Sequence, residues 1–313
     1  MNQTIHIDTE WVKAEAYSLG FSACGVAPAT SVSEENIHCY QQWIASKKHA
    51  AMNYLENYAE KRFNPSLLME GACSIVSVAL NYYPAWQPDP NKQYEFAWYA
   101  YGKDYHDVMK ARLKLLFEAI CSHLPDITVH GRIFCDTAPI LERYWAWRCG
   151  LGWIGKNTQL IIPRAGSAFF LGELLLDKPF TTYDTPIKSR CGKCTRCLDA
   201  CPTQALESPY RLNASHCLSY LTIENKEELP CGTATTMGNC IYGCDRCQSV
   251  CPWNRMAQPT QIPEFQPSEA FQQLTHKQLE NLTIEEYQHL FKGSAIKRAK
   301  YSGLMRNIKE VSK

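Results

Sequence analysis

Eight of the sixteen cysteines fall in two short runs, and these runs constrain the chain more than any other feature. The first, from Cys191 to Pro202, has the spacing C-x2-C-x2-C-x3-C-P. The second also ends in a proline, and its members are Cys240, Cys244, Cys247 and Cys251. Such spacings in a chain of 313 residues favour metal centres over the disulfide framework of a small secreted domain. Part of this chain is therefore expected to fold around metal-bound thiolates.

The spacing predicts two [4Fe–4S] clusters. Bacterial ferredoxins with two such clusters use the same run, and the fourth cysteine of each run binds the other cluster. The proline after that cysteine suits the first turn of a helix, where its missing N–H costs no hydrogen bond. Paired C-x2-C units also form four-cysteine zinc sites, but zinc explains the C-x3-C-P endings less well.

The run pattern assigns seven of the eight thiolates that two cubanes need. The first set is Cys191, Cys194, Cys197 and Cys251, and the second contains Cys201, Cys244 and Cys247. Its fourth member stays open, because Cys240 precedes Cys244 by x3 rather than x2 and breaks the pattern. The candidates are Cys217, Cys231 and Cys240.

Composition excludes several classes of protein. The net charge is +1, so any nucleic-acid binding must use a local patch. No apolar run approaches the roughly 20 residues that span a bilayer. The N-terminus has neither the basic segment nor the apolar segment of a secretory signal. We therefore expect a soluble, oxygen-sensitive, cytoplasmic protein.

Hydrophobic periodicity predicts alternating helices and strands up to about residue 180. Helices are expected over 8–19, 34–47, 105–123 and 139–148, and strands over 23–26, 74–80, 128–134, 158–162 and 168–176. This alternation indicates an α/β (α+β) layer fold. Three segments follow: an N-terminal domain over 1–180, a ferredoxin-like module over 181–257 and a helical, basic C-terminal region over 258–313.

Two local patterns near the end of the first segment allow competing interpretations. Gly150 to Gly155 matches G-x-G-x-x-G, but it follows a helical run rather than a strand, so we interpret Gly150 as a helix C-cap. The remaining glycines could let the backbone approach a flat ligand. Asp136 precedes Pro139 and could cap a helix, or it could act as a general acid at a strand end.

Two further polar stretches are less specific. Asp104-x-His106 begins like the cobalamin motif D-x-H-x-x-G, but position 109 is Met, so that motif is absent. Residues 292–313 carry seven Lys or Arg against one Glu. This tail is either a solvated helix face or a surface that binds phosphates.

Six motifs together resemble the epoxyqueuosine reductase family, and the likeness covers nearly the whole chain. They are Y-G-K-D-Y-H (101–106), C-D-T-A-P-I-L-E-R (135–143), G-L-G-W-I-G-K-N-T (150–158), C-G-K-C-T-R-C-L-D-A-C-P-T-Q-A-L (191–206), C-L-S-Y-L-T-I-E (217–224) and G-C-D-R-C-Q-S-V-C-P-W-N (243–254). The resemblance implies a fold and cofactors similar to those of reductive dehalogenases. Residues 1–180 would then be the catalytic domain and would bind cobalamin base-off, without a protein axial ligand, and two [4Fe–4S] clusters would reduce it.

The resemblance also implies a substrate and roles for residues. The substrate would be epoxyqueuosine at the wobble position of a tRNA with a GUN anticodon, and the product would be queuosine. Asp136 would donate a proton, with a raised pKa, and Cys217 would complete the second cluster. The cofactor pocket would include Arg62, Tyr101, Asp136, Lys156 and Asn157. The tRNA surface would lie on a HEAT-like C-terminal region and include Lys297, Arg298, Lys300 and Arg306.

Further expectations concern partners and alternatives. The resemblance implies a low-potential electron donor of the flavodoxin or ferredoxin type, no membrane partner and a monomer. Three alternatives have weaker support: a small-molecule reductase like the reductive dehalogenases, a ferredoxin-type electron carrier and a zinc-stabilised RNA-binding module. An electron carrier would need neither Asp136 nor a cobalamin pocket.

Overall fold

Ten strands and twelve α-helices are formed by residues 5–313, the part of the chain that this computed structural model describes. The strands are β1 (Ala23–Pro28), β2 (Ser74–Asn81), β3 (Glu95–Phe96), β4 (Gly131–Phe134), β5 (Trp153–Ile154), β6 (Leu160–Ile161), β7 (Phe169–Leu176), β8 (Leu206–Ser208), β9 (Arg211–Leu212) and β10 (Cys240–Tyr242). The predicted absence of a secretory signal concerns the N-terminus, and residues 1–4 lie outside the part of the chain that the structure describes.

The helices are longest in the N-terminal half and short around the cysteines. They are α1 (Thr9–Ser18), α2 (Glu34–Ala45), α3 (Ala59–Phe63), α4 (Tyr105–His123), α5 (Glu142–Arg148), α6 (Arg196–Asp199), α7 (Thr233–Met237), α8 (Arg246–Ser249), α9 (Glu269–Gln272), α10 (His276–Glu280), α11 (Ile284–Leu290) and α12 (Lys300–Val311). None of the described helices combines the length and apolarity needed to cross a membrane.

A four-stranded sheet with the order β1-β2-β7-β4 forms the centre of the N-terminal half. β2 is buried on both faces, as its apolar, β-branched run predicts. One face packs against α1 and α4, and the other packs against α5. Every strand pair in this sheet is antiparallel. The alternation of elements is also typical of parallel α/β sheets, but the fold observed is α+β.

The predicted elements are mostly present, and the largest differences lie on either side of the loop formed by residues 135–141. α4 has the predicted bounds, whereas the predicted strand over 128–134 begins only at Gly131 and the predicted helix over 139–148 begins only at Glu142. The C-cap interpretation of Gly150 is confirmed: its φ is 73°, its N–H donates to the Trp147 carbonyl and the Leu151 N–H donates to the Ala146 carbonyl.

Glycines 152 and 155 allow close packing within the chain. A Cβ on Gly152 would lie 2.2 Å from the Ile161 carbonyl oxygen, and one on Gly155 would lie 2.7 Å from the Asn157 side chain. The Cβ side of each glycine is therefore filled by the chain itself, and a ligand against their backbone stays a prediction.

The C-terminal helices share a hydrophobic core with earlier parts of the chain. β3 pairs in parallel with β10, and α9 to α12 pack around them. The core contains Phe96 and Tyr101 from the first predicted segment, Tyr242 from the second, and Phe271 and Phe291 from the third. The packing thus crosses both predicted segment boundaries. The three-domain division stays a prediction.

Candidate active site

Asp136 lies in the loop between β4 and α5, directly beyond an edge strand of the central sheet. Its φ of 55° is a left-handed conformation that Asp adopts more readily than most residues. The Asp136 N–H donates to the Glu142 carboxylate, which fixes the loop. Because α5 begins at Glu142 and has Leu141 at its N-cap, the interpretation of Asp136 as a helix cap is wrong. Its side chain is instead 55% exposed and contacts other side chains.

Three side chains from the start of α4 form a chain of hydrogen bonds that ends on Asp136. Tyr105 donates from its hydroxyl to Asp136 Oδ2 over 2.9 Å, and His106 Nε2 lies 3.1 Å from the same oxygen. The other imidazole nitrogen, Nδ1, lies 2.6 Å from Asp104 Oδ1. Asp104 also caps α4, since its carboxylate accepts the His106 backbone N–H. His106 thus bridges two carboxylates.

These contacts reverse the expected titration of Asp136. The hydrogen bond from His106 lowers the pKa of Asp136, the Tyr105 hydroxyl acts in the same direction, and partial desolvation opposes both. Hydrogen bonds to Asp104 and Asp136 raise the pKa of His106 to about 9. The expectation of a raised pKa at Asp136 is therefore wrong for this geometry, because donors to a carboxylate favour its charged form.

Sequence analysis missed the roles of Tyr105, His106 and Glu142. The signal for the first two was Asp104-x-His106 at the start of a helix, which we treated only as an incomplete cobalamin motif. Glu142 follows Asp136 by six residues within C-D-T-A-P-I-L-E-R, but nothing in that spacing indicates a hydrogen bond to the Asp136 backbone. Tertiary packing of α4 against the central sheet brings these groups together.

Glu142, Arg143 and Thr158 border the other side of the Asp136 loop, and we name this region the recess. Desolvation raises the pKa of Glu142, and the nearby Asp136 charge acts in the same direction. Desolvation also lowers the pKa of Arg143, whose side chain solvent still reaches. Arg143 Nη1 donates to the Thr158 carbonyl over 3.0 Å, which orients it there.

The C-terminal tail contributes an arginine to the same recess. Arg298 forms a bidentate pair with Glu224, over 2.7 and 2.9 Å, and its guanidinium lies 5.9 Å from the ring centroid of Tyr54. Tyr54 is 47% exposed. The Arg298 charge adds to the effect of the closer donors in lowering the pKa of Asp136. Tyr54 and Arg298 therefore lie near the Asp136 carboxylate.

The eight predicted cluster cysteines form two spatial groups. Around one small cavity lie Cys191, Cys194, Cys197 and Cys251. Burial raises the pKa of Cys217, Cys244 and Cys247, and each of these thiols has electrostatic neighbours within the set Cys201, Cys217, Cys244 and Cys247. Cys247 is also a neighbour of Cys197, so the two groups adjoin. This placement agrees with the two sets that the resemblance implies, and the assignment of individual ligands stays a prediction.

The donor chemistry of these groups fits iron–sulfur cubanes. Within residues 5–313, no three His, Cys, Asp or Glu side chains converge on a single-ion position. The thiolates of a cubane each bind a different iron, so they need not converge on one point. Cys240 is buried, its thiol donates to the Gly243 carbonyl over 2.9 Å, and Cys244 is an electrostatic neighbour of this thiol as well.

Two residues expected in the cofactor pocket support the cysteine loops instead. Lys156 Nζ donates to the carbonyls of Gly192 and Cys194 over 2.7 and 2.8 Å. Asn157 is buried, and its side-chain amide donates to the Cys247 carbonyl over 3.4 Å. Since Thr158 accepts from Arg143, residues 156–158 connect both cysteine groups with the recess beside Asp136.

The other expected pocket residues lie elsewhere. Tyr101 is 4% exposed and packs edge-on against Trp86 in the C-terminal core, so its side chain is not available to a cofactor. Arg62 is buried, and its guanidinium donates to the Tyr54 carbonyl over 3.1 Å. Arg62 therefore supports the Tyr54 loop at the recess.

The four basic residues expected at a tRNA surface separate into two kinds. Lys297 and Lys300 line an open groove that also contains Tyr287, Lys292 and Tyr301. Arg306 instead donates to the backbone carbonyls of Leu221, Asn225 and Glu227. Arg298 is paired with Glu224. Carboxylate oxygens of Glu224 and backbone carbonyls hold the guanidinium groups of Arg298 and Arg306, respectively. Among these four residues, only Lys297 and Lys300 have charged groups without such a partner in the described part of the chain.

Two family models match the chain. Residues 190–254 match the family described as a 4Fe-4S double cluster binding domain. Residues 62–137, which include Asp104, His106 and Asp136, match the family described as epoxyqueuosine reductase QueG. The two matches therefore cover the cysteine loops and the hydrogen-bonded side chains of Asp104, Tyr105, His106 and Asp136.

Curated relatives match over nearly the full chain. An epoxyqueuosine reductase from Leadbetterella byssophila is 46% identical over 297 residues, which are 95% of this chain and 96% of the relative. The corresponding enzyme of Cellulophaga algicola is 43% identical and covers 96% of both chains. The Escherichia coli enzyme is longer: the match, at 38% identity, spans 95% of this chain and 78% of that one.

Solved structures of the same kind have similar folds. An epoxyqueuosine reductase crystallised with an epoxyqueuosine-modified tRNA-Tyr stem loop superposes with a TM-score of 0.86 at 32% identity, covering 96% of this chain and 80% of that one. The Bacillus subtilis enzyme, described with an aspartate catalytic loop swung out of the active site, has a TM-score of 0.85 at the same identity and coverage.

Proposed function

We infer the reaction from one premise: the chain belongs to the epoxyqueuosine reductase family and is an oxidoreductase. We propose that it reduces epoxyqueuosine to queuosine at the wobble position of tRNAs with a GUN anticodon. The observation that carries this proposal is that residues near Asp136 reach the loops of both cysteine groups: Arg143 donates to the Thr158 carbonyl, and the adjacent Lys156 and Asn157 donate to the carbonyls of Cys194 and Cys247.

The stoichiometry sets what the site must supply. An epoxide, two electrons and two protons give an alkene and one water molecule. The electrons must enter one at a time from a low-potential donor, which we propose to be of the flavodoxin or ferredoxin type. The protons must reach an oxygen atom that becomes basic as its C–O bond breaks, and a positioned acid can provide them.

We propose that the two cysteine groups hold two [4Fe–4S] clusters. Cys191, Cys194, Cys197 and Cys251 would bind the first, and Cys201, Cys217, Cys244 and Cys247 the second. The double-cluster family match over residues 190–254 and the neighbouring thiols of each set support this assignment. Lys156 and Asn157 would hold the loops in place, and the adjacency of Cys197 and Cys247 would shorten the path between clusters.

We propose cobalamin as the second cofactor, in the recess between Asp136 and the cysteine loops. When bound, it would supply a strongly nucleophilic reduced cobalt centre. We propose the base-off form of the cofactor, and His106 would stay with Asp104 and Asp136, because carboxylates engage both nitrogens of that imidazole. Arg143 and Asn157 would border the cofactor on the cluster side, and Arg62 would contribute only by supporting the Tyr54 loop.

Asp136 is the proposed proton donor to the substrate oxygen. Its Oδ2 accepts from Tyr105 and lies within hydrogen-bond distance of His106, so Oδ1 would face the recess. A similar structure is described with an aspartate catalytic loop that swings out of the active site, and the left-handed backbone at Asp136 is compatible with such a loop. Asp136 to Asn should lower turnover by at least about 100-fold, the usual scale of general acid catalysis.

The tRNA would approach the face that carries the lysine groove and the recess. A similar protein was crystallised with an epoxyqueuosine-modified stem loop. We propose that Lys297 and Lys300 contact phosphates, and that Arg298 lies closer to the modified nucleoside. A wobble base must leave its stack to enter the recess, and Tyr54 could then stack on it. Arg306 would act only by fixing the tail.

The deciding experiment is an anaerobic assay of the cluster-containing protein with cobalamin, a strong chemical reductant and tRNA that carries epoxyqueuosine. Mass analysis of the released nucleosides should show loss of one oxygen atom, dependent on added cobalamin. Asp136 to Asn serves as a matched control, because it should retain iron and tRNA binding. Turnover without cobalamin would overturn the cofactor proposal. Cobalamin binding and full iron without conversion would overturn the substrate proposal.

A further inference from the structure

The two hydrogen bonds that join Asp104, His106 and Asp136 need one proton more than a neutral imidazole supplies. A neutral imidazole carries one N–H, whereas an ionised carboxylate can only accept hydrogen bonds. Nδ1 lies 2.6 Å from Asp104 Oδ1 and Nε2 lies 3.1 Å from Asp136 Oδ2. Two hydrogen bonds between three groups therefore need two protons. One of them is an extra proton, carried by the imidazole or by one of the carboxyl groups.

The surroundings favour the imidazole as the holder of that proton. The Tyr105 hydroxyl also donates to Asp136 Oδ2, which stabilises the charged carboxylate. Asp104 accepts the His106 backbone N–H and caps α4, so its charge is favoured as well. The raised pKa of His106 and the lowered pKa values of both aspartates agree with this distribution. At neutral pH Asp136 is then an anion beside a cationic His106.

Four other titratable groups lie near this chain: Tyr54 and Arg143, whose pKa values respond to the Asp136 charge, together with Glu142 and Arg298. The Glu142 carboxylate accepts the Asp136 N–H and lies near enough to raise the pKa of His106 if it ionises. The Arg298 guanidinium, from the C-terminal segment, acts on Asp136 in the opposite sense to Glu142. None of the four donates to or accepts from the imidazole, whose two nitrogens face the aspartates. The extra proton is thus confined to the Asp104–His106–Asp136 chain.

The imidazole is also fixed in position. Its ring stacks on Tyr105 at 4.1 Å between centroids, and the Tyr105 ring stacks on Phe170 of β7 at 4.3 Å with an interplanar angle of 5°. His106 is 24% exposed, so solvent still reaches it. A stacked imidazole that solvent can reach is able to give up a proton and recover it without moving.

We propose that His106 is a positioning residue that stores the proton which Asp136 delivers to the substrate. This inference rests on the proposed function, because it assumes that Asp136 is the donor. The proton passes from His106 Nε2 to the Asp136 carboxylate, and the resulting carboxyl group gives it to the epoxide oxygen as the C–O bond breaks. His106 is left neutral, with its remaining proton on Nδ1 toward Asp104, and solvent reprotonates Nε2 before the second proton is needed.

The first test is a titration that does not depend on turnover. Histidine resonances of the full-length, cluster-containing protein are recorded against pH, and the His106 signal is identified by its loss in His106 to Gln. We expect His106 to titrate near pH 9 in the wild type. In Asp104 to Asn and in Asp136 to Asn the midpoint should fall by one unit or more. A wild-type midpoint at or below 6.5, the ordinary value, would overturn the proposal.

The second test is the pH profile of single-turnover epoxide reduction in pre-reduced enzyme. The wild type should be flat from about pH 7 to 8 and lose activity tenfold per unit above the His106 midpoint. His106 to Gln can still donate a hydrogen bond to Asp136, but it cannot store a proton. Its rate at pH 8 should be at least about 10-fold lower and should rise as the pH is lowered.

Separate outcomes distinguish this proposal from the proposed function. A wild-type protein that titrates as expected but does not reduce epoxyqueuosine would overturn the proposed function. Normal wild-type turnover combined with an unchanged pH profile in His106 to Gln would overturn the proton store and leave the function intact. Tyr105 to Phe is a matched control, because it removes one donor to Asp136 and keeps the imidazole.

Discussion

Glu173 is a buried acid in β7 that the proposed reaction does not use. It is 0% exposed, Ser77 donates to one of its carboxylate oxygens over 3.4 Å, and the other has no partner among the described residues. Desolvation raises its pKa well above the ordinary range. At neutral pH its carboxyl group is therefore protonated in the folded protein.

This predicts a pH-dependent gain from Glu173 to Gln. The unfolded chain loses the Glu173 proton above its ordinary pKa of 4.5, while the folded chain keeps it, so rising pH favours unfolding. Gln removes this effect. At pH 8 the variant should be more stable by about 1–3 kcal/mol, which raises Tm by at least about 2 °C. The difference should shrink at pH 4.5.

Thermal unfolding at the two pH values measures this, with Glu118 to Gln as the control. Glu118 is on the surface, with a side chain that is 55% exposed, so its substitution should change Tm little at either pH. Equal Tm values for the wild type and Glu173 to Gln at pH 8 would show that the Glu173 carboxylate is ionised and paired in the folded protein.

Cys217 and Cys240 form a matched pair of thiols. Under the proposed assignment Cys217 to Ser removes a ligand of the second cluster, so bound iron should fall to about half. Cys240 to Ser changes only a buried thiol that donates to the Gly243 carbonyl, so iron should be retained. Iron analysis and the visible absorption spectrum measure both. The reverse pattern would identify Cys240 as the ligand.

At the scale of single elements, Lys297 and Arg298 are neighbours in the tail with different surroundings. Lys297 lines the groove with Lys300 and Tyr301, whereas Arg298 is held by Glu224 opposite Asp136. Lys297 to Ala should weaken tRNA binding and reduce its dependence on salt, with little change in kcat. Arg298 to Ala should lower kcat by about 10-fold or more and leave the salt dependence unchanged.

Filter binding at several salt concentrations, together with single-turnover rates, separates the two effects. Arg298 to Lys controls for the loss of charge, since a lysine cannot form the bidentate pair with Glu224. If both alanine variants change only the salt dependence of binding, Arg298 belongs to the phosphate surface after all.

The sequence predicts elements well where hydrophobic periodicity is long and regular. α4 keeps both predicted ends because Met109, Leu113, Leu116 and Ile120 recur at helical spacing and all are buried. The segment from Cys135 to Leu141 was assigned partly to a helix, because Pro139 resembles a helix start. Its conformation depends instead on the hydrogen bond from the Asp136 N–H to Glu142, which no local pattern indicates.

The candidate site was predictable only as far as motif spacing reaches. Cysteine spacing and the resemblance predict both cysteine sets, because ligand spacing is itself a local property. The roles of His106 and Tyr54 depend on contacts between residues far apart in the chain, such as His106 with Asp136 and Tyr54 with Arg298. Lys156 and Asn157 donate to backbone carbonyls of the cysteine loops, which their spacing did not indicate, and their place in a cofactor pocket stays a prediction.

At the scale of the whole molecule, the C-terminal region completes a core as well as carrying charge. Removing residues 258–313 would uncover apolar side chains that are now buried against it, among them Phe96, Ile241 and Tyr242. The truncated chain should therefore fail to fold stably rather than lose only tRNA affinity. Near-UV circular dichroism, soluble yield and bound iron measure this.

A double variant, Lys297 to Ala with Lys300 to Ala, is the control for that truncation. It removes groove charge without uncovering the core, so its fold and iron content should match the wild type. A truncated chain with a wild-type spectrum and full iron would show that the C-terminal region is an independent domain.

The exchange of the fourth cysteines between the two runs has a consequence for synthesis. Under the proposed assignment the first cluster needs Cys251 in addition to Cys191, Cys194 and Cys197, and the second needs Cys201 together with Cys244 and Cys247. Neither cluster can be complete until the ribosome has made about sixty residues beyond Cys191. During that interval the first run emerges as free thiols. Cluster delivery to this protein must therefore wait until Cys251 has been made, and until then the thiols of the first run stay open to oxidation.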